Sequence, residues 1–185
     1  MGRAPKPLRH RGTQEIQTQR LVLRRFREQD AEDLFEVCRK DEVTRFLTYD
    51  SHQSIDDTRS IIALWISEYE RQDTYNWAIE LDGRVVGSIG AVKSSDAMSS
   101  CTLGWQIDSS LWNRGYMTEA AKAVIAYLQE VGFVRIAAYH DTLNPASGRV
   151  MQKAGMTFEG TLRCNLLRKD GSLGDMSVYA VVAEE

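Results

Sequence analysis

The sequence predicts one mixed α/β domain around a central, mostly antiparallel sheet of about seven strands flanked by about four helices. Two kinds of apolar spacing carry this reading. Tyr75, Trp77, Ile79 and Leu81 recur at two-residue steps, while Ile62, Trp65, Ile66 and Tyr69 recur at three- and four-residue steps. The two patterns interleave in the order strand, two helices, three strands, helix, strand, helix, two strands. No internal repeat and no shift in composition marks a boundary within that order.

Arg20–Phe26 reads as the first strand, and Asp30 as the cap of a helix through about Asp41 with Leu34, Val37 and Cys38 on one face. Ser54 and Asp57 have capping-box spacing and open the second helix. The Tyr75–Leu81 alternation predicts a half-buried strand with Asn76, Ala78 and Glu80 facing away from the core. Asp82-Gly83 is a two-residue hairpin turn, and Arg84–Val92 returns from it. Gly87 and Gly90 in the return strand mark a bulge or a close backbone approach. A polar loop, Lys93–Ser100, leads to the strand Cys101–Ile107. The next helix follows Gly115 and stops at Gly132. Val134–Tyr139 is a short strand and Ala146–Ala154 a short helix ended by Gly155. Met156–Arg163 and Met176–Val182 close the domain as a strand pair.

With 23 basic and 26 acidic side chains, a formal charge of -3, the chain carries no broad basic field of the kind nucleic acid requires. Basic residues gather only in the segment 1–17, where Arg3, Lys6, Arg9, His10 and Arg11 face Glu15 alone. That segment reads as a flexible, solvated tail, or alternatively as a weak contact for RNA or an acidic partner, with the folded domain spanning 18–185. No apolar run suffices to span a bilayer, and no signal-peptide core is evident, so a cytoplasmic location is expected. Cys38, Cys101 and Cys164 have no metal-like spacing and read as buried thiols in a reducing compartment. No metal site is expected.

The chemistry is concentrated in Leu103–Ala120. A strand runs into a polar turn and then into a helix that starts at a glycine. Such a start exposes backbone N–H groups without internal acceptors and adds the positive end of the helix dipole. It is a seat for an anion, typically a cofactor phosphate. Downstream stand Asn144-Pro-Ala-Ser147 and Lys153-Ala-Gly155. No Gly-Lys-Ser/Thr follows the glycine turn, which argues against a nucleotide P-loop.

Taken with Phe158-Glu-Gly160, these motifs and their order resemble the GNAT superfamily of acetyl-CoA-dependent N-acetyltransferases over Thr18–Ala183. Within it the chain is most similar to the RimJ/RimL branch, which acetylates protein N-termini, including those of ribosomal proteins. The resemblance implies a pyrophosphate held by Trp112, Asn113, Arg114, Gly115, Tyr116, Met117 and Thr118, chiefly through their amides. Trp112 and Met117 depart from the superfamily's residue types, and Gly115 matches. The resemblance also implies that Cys101–Ile107 splays from its neighbouring strand, with Ile107 and Asp108 meeting the pantetheine arm of acetyl-CoA. Asn144 would hydrogen-bond the same arm, unless it serves only as a helix cap. Ser147 would touch the cofactor and give the leaving thiolate its proton, its other role being capping.

A glutamate used as base by a close relative falls near Leu166 here, so Glu80 stands as the substitute base. Tyr116, Tyr139 and Tyr179 are further acids or packing residues; His140 reads as a surface residue, and Glu119 as a complement to the helix dipole. The implied activity is transfer of an acetyl group to the α-amino group of a protein or peptide, by direct attack on the thioester. A small amine (a polyamine, amino acid or aminoglycoside) is the alternative acceptor, and a non-catalytic acyl-CoA-binding regulatory domain a third reading. A monomer or homodimer without membrane partners is expected.

Overall fold

The computed structural model describes residues 7–183. Among these residues the strands are β1 (Ile16–Gln17), β2 (Val22–Arg24), β3 (Asn76–Leu81), β4 (Arg84–Ser95), β5 (Ser100–Ile107), β6 (Arg135–Asp141), β7 (Thr157–Leu167) and β8 (Leu173–Val182). The helices are α1 (Ala31–Cys38), α2 (Asp41–Thr44), α3 (Ile55–Glu68), α4 (Tyr116–Val131) and α5 (Pro145–Lys153). The extra strand is β1 and the extra helix is α2, a single turn. Both are too short to leave a periodic signature in the sequence.

The chain divides into two compact units, of which one comprises His10–Gly90 and Trp105–Ala120 and the other the remaining described residues. In the first, the hydrogen-bonded strand order is β1-β2-β3-β4-β5, antiparallel from β1 through β4. Asp82 and Gly83 both have positive φ (50° and 78°), the geometry a two-residue hairpin requires. The β3–β4 register shifts between Ile79 and Glu80, which pair with Gly87 and Val85, so Val86 bulges from β4 next to Gly87. A Cβ on Gly87 would stand 2.3 Å from the Gln106 carbonyl oxygen, so the glycine allows β5 to lie close. The bulge and the close approach expected of this strand are therefore both present.

Ala78 is fully buried, not solvent-facing as the alternation suggests. It packs with Phe26, Leu34, Cys38 and Ile62, because α1 and α3 cover that side of the strand. Each such Leu or Ile contributes about 1.5–3 kcal/mol relative to exposure. Ser54 and Asp57 form the reciprocal capping box that opens α3. Asp30 stands at the N-cap position of α1, as expected, but its side chain makes no capping hydrogen bond. Its carboxylate takes the Arg27 N–H at 2.7 Å and a two-pronged contact from the Arg24 guanidinium at 2.8 and 2.9 Å.

The segment from His10 to Gln17, expected as part of a loose tail, is held by hydrogen bonds. The Trp77 indole donates to the Gln14 carbonyl at 2.7 Å, and Thr13 both accepts from Asn76 N–H and donates to the Thr74 carbonyl. Its backbone and hydroxyl groups fix it, a signal its charge pattern does not contain. Arg3 and Lys6 lie outside the described residues.

In the second unit the order is β4-β5-β6-β8-β7. The β5–β6 pair is parallel, while β8 lies antiparallel between β6 and β7. Ala121, Val124 and Leu128 of α4 are fully buried, and Gly132 ends the helix at φ +113°. β4, β7 and β8 all run longer than their apolar patterns predict. β7 has no buried residue, so alternation could not delimit it. Cys164 corrects the expectation of three buried thiols: it is exposed, at φ +51° in an irregular stretch of β7. Cys38 and Cys101 are buried, and burial pushes the Cys101 thiol up to about 12. No described helix is long and apolar enough to cross a membrane.

Candidate active site

In the first unit β5 ends at Ile107, a 3-10 turn covers Ser109–Leu111, and α4 begins at Tyr116. Asn113 (φ +61°) and Gly115 (φ +82°) both adopt left-handed backbone, which turns the chain sharply into the helix. The first helical hydrogen bond joins Glu119 N–H to the Gly115 carbonyl at 3.0 Å. The N–H groups of Tyr116, Met117 and Thr118 therefore project from the helix start without an intrahelical acceptor. Arg114 is exposed beside them, and no carboxylate among the described residues pairs with it. Met117 is 6 % exposed, so its side chain belongs to the core and only its backbone is available. Trp112 is 44 % exposed, and its indole donates to the Ile107 carbonyl at 3.1 Å.

A polar clamp holds this helix start. Glu119 Oε1 accepts from the Thr18 hydroxyl at 2.7 Å and the Arg20 N–H at 2.8 Å, and Oε2 accepts from Arg20 Nε at 2.7 Å. Arg20 Nη1 also donates to the Arg114 carbonyl at 3.1 Å, and its guanidinium lies 4.2 Å above the Tyr116 ring. Burial alone would push the Glu119 carboxyl up, but the hydrogen bonds from Thr18 and Arg20 outweigh it and hold the group below its usual range. Glu119 thus fastens the turn as well as complementing the dipole. Neither Thr18 nor Arg20 carries a sequence pattern that points to this task.

Two backbone groups expected to meet a pantetheine arm already have partners. The Asp108 N–H donates to the Val86 carbonyl at 2.8 Å, and the Ile107 carbonyl is the acceptor of the Trp112 indole. The Asp108 carboxylate takes Lys40 Nζ and the Ser110 N–H, both at 2.8 Å. Burial raises its pKa, but these contacts prevail and lower it overall.

Glu80, expected as a base, is likewise committed: its Oε2 accepts from Arg24 Nε at 2.5 Å. The residue expected as the base is thus held in an ion pair with Arg24.

In the second unit the β5–β6 ladder stops at Thr102↔Ala137. β6 continues to Asp141 with β8 along its other edge throughout. From Ala138 to Asp141 its remaining edge has no ladder partner among the described residues, so the splay expected of Cys101–Ile107 begins after Thr102. At the end of that open edge the chain turns into α5. Asn144 is the N-cap, and the Ser147 N–H donates to its carbonyl at 3.2 Å and to its Oδ1 at 3.4 Å. Pro145 occupies the first helical turn, where a missing N–H costs nothing. Both side chains are half-buried, and neither the Asn144 amide nitrogen nor the Ser147 hydroxyl is used in the cap.

His140 is not the surface residue its polar neighbours suggest. Its ring lies 5.8 Å from Tyr179, its Nδ1 meets the Asp141 carbonyl at 2.7 Å, and Nε2 would be 2.6 Å from a Cβ on Gly148. Tyr179 is buried in packing with Phe158, whereas Tyr139 is 47 % exposed. The sequence-derived residues thus fall into two groups: Ile107, Asp108 and Trp112–Thr118 in the first unit, Asn144 and Ser147 in the second.

A glycine turn feeding a free helix start, after a strand that parts from its parallel neighbour, is the framework of an acyltransferase. The chain belongs to the acetyltransferase (GNAT) family, whose domain matches residues 20–157. It is 31 % identical over 170 residues to the uncharacterized N-acetyltransferase YoaA of Bacillus subtilis (strain 168), covering 90 % of this chain and 96 % of that protein. A GNAT-family acetyltransferase from Bacillus anthracis superposes with a TM-score of 0.81 at 27 % identity, covering 93 % of this chain and all of that one. The ribosomal L7/L12 α-N-protein acetyltransferase RimL, solved with coenzyme A, shares the fold at a TM-score of 0.82 and 19 % identity, over 91 % of this chain and 98 % of that one.

Proposed function

We propose that this GNAT acetyltransferase transfers the acetyl group of acetyl-CoA to the α-amino group of a protein or peptide. The observation that carries the donor is the helix start at Gly115, with three unaccepted N–H groups and the unpaired Arg114 beside them. These residues fit a pyrophosphate: the first-turn N–H groups lack intrahelical acceptors, and the Glu119 carboxylate of the same helix start is paired with Arg20. Asn144 has a free amide for the pantetheine arm, and the unpaired edge Ala138–Asp141 offers backbone groups to the same arm. The resemblance to coenzyme A-bound RimL supports that reading.

Acetyl-CoA supplies an activated thioester. The chain's own residues position it and manage protons. The amine nitrogen would attack the thioester carbonyl carbon as the C–S bond breaks, and the Ser147 hydroxyl would pass its proton to the leaving sulfur and regain one from the acylated nitrogen. The attacking amine must be neutral. An α-amino group, with a pKa near ~7.7–8.0, deprotonates far more readily than a lysine near ~10.4. Loss of its proton to water therefore suffices, in keeping with the engagement of Glu80 by Arg24.

The test is thiol release from acetyl-CoA with a panel of N-terminal peptides, the same peptides blocked at the α-amine, and small amines. Turnover of free but not blocked peptides is expected. Turnover of small amines alone would reassign the acceptor, and no turnover despite tight acetyl-CoA binding would overturn catalysis. Ser147→Ala should lower kcat more than it raises KM.

A further inference from the structure

The connection that presents Asn144 and Ser147 is anchored from a distance. The Asp141 side chain is 2 % exposed, and a single guanidinium engages both of its oxygens: Arg168 Nε donates to Oδ2 at 2.6 Å and Nη2 to Oδ1 at 3.0 Å. Oδ1 also accepts the Leu143 N–H at 2.8 Å, while the Asp141 carbonyl accepts the Asn144 N–H at 2.7 Å. Asp141 therefore sets the backbone of the two residues that precede α5, and Asn144 in turn receives the Ser147 N–H.

Arg168 stands at the tip of the β7–β8 hairpin. Its N–H donates to the Ser172 carbonyl at 2.9 Å, and its carbonyl accepts from Gly171 at 2.9 Å. A Cβ on Gly174 would lie 2.7 Å from the guanidinium carbon, so this glycine is the space through which the side chain reaches Asp141.

We propose that Arg168 is a positioning residue for acyl transfer: through Asp141 it fixes the turn that aims Asn144 and Ser147. The inference rests on the function proposed above. It explains why the contact is a planar two-pronged one, which a lysine cannot reproduce. It also explains why a glycine faces the guanidinium on a strand where a side chain would otherwise be favoured.

The test uses the full chain with Arg168→Ala, Arg168→Lys and Gly174→Ala. The measurements are coenzyme A affinity by calorimetry, kcat, KM for the best amine, and thermal melting. In Arg168→Ala, kcat should fall about ten- to a hundredfold, as for a displacement of the reacting groups by about 1 Å. Coenzyme A affinity should fall with it, while KM for the amine stays within about twofold. Gly174→Ala should show the same split with Arg168 still present, and Arg168→Lys should recover only part of kcat.

A lowered melting temperature with unchanged kcat and coenzyme A affinity, measured well below melting, would overturn the proposal, since a purely structural bridge behaves that way. If Arg168→Ala does not fold, Gly174→Ala and Arg168→Lys carry the same expectations. A parent chain that binds no coenzyme A would overturn the function beneath the proposal, whereas loss of binding in Asn144→Ala but not in Arg168→Ala would overturn the proposal alone.

Discussion

Replacing Gly115 with alanine perturbs the turn at one torsion and little else. The backbone there has φ +82°, and an added Cβ would meet only the Arg20 Nη2 atom at 3.5 Å, an ordinary contact with a flexible tip. The cost to folding is therefore conformational. Left-handed backbone costs an L-residue about 1–2 kcal/mol, and the loss of unfolded-chain freedom returns about 0.4–1 kcal/mol. The net destabilisation should be about 1 kcal/mol in urea unfolding. Gly87→Ala is the informative contrast, because its Cβ would stand 2.3 Å from the Gln106 carbonyl oxygen and 2.9 Å from the Ile107 Cα. Both are backbone atoms, so β5 must move, and the loss should exceed about 2 kcal/mol. The effect of Gly115→Ala on coenzyme A should outrun its effect on folding. A hydrogen bond to a charged acceptor is worth about 1.5–3 kcal/mol, so misaligning one turn N–H lowers affinity about tenfold or more. Calorimetry at fixed salt reads this directly. Unchanged affinity beside a 1 kcal/mol stability loss would refute the assignment of this turn to the pyrophosphate.

Two further predictions concern what holds the first unit together. Arg24→Met leaves the Asp30 carboxylate, 5 % exposed, without its guanidinium; the loss should be about 3–5 kcal/mol by urea unfolding, and a loss below about 1 kcal/mol would contradict the account. The Glu119 carboxyl is held below its usual range once the hydrogen bonds from Thr18 and Arg20 overcome burial. A depressed folded pKa gives stability that is present above the unfolded value near ~4.3 and lost as pH falls through the folded pKa. The stability gap between the parent and Glu119→Gln should therefore be full near neutral pH and shrink in acid; a gap independent of pH would refute the clamp.

Local signals in the sequence proved to be the readable ones. Asp82-Gly83, the Ser54–Asp57 box, and the glycines at 115, 132 and 155 each encode a backbone state that a neighbour or two determines. The splay after Thr102 was legible only through resemblance, since nothing in Cys101–Ile107 itself announces a parting strand. What escaped depends on residues distant in the chain. The engagement of Glu80 by Arg24 spans 56 positions and that of Glu119 by Arg20 spans 99. Burial of Ala78 depends on α1 and α3 covering the strand's second face, and the packing of His140 depends on Gly148 and Tyr179. Charge patterning misjudged the residues before β2 because hydrogen bonds of Thr13 and Gln14 hold them.

In the function proposed above, the backbone N–H groups at the start of α4 meet coenzyme A. Amide NMR of the labelled chain, titrated with coenzyme A, tests it most directly. Saturable shifts are expected at Tyr116, Met117 and Thr118 and at Asn144–Ser147, the former reproduced in part by pyrophosphate alone. Binding that shifts other amides while these stay fixed would contradict that reading.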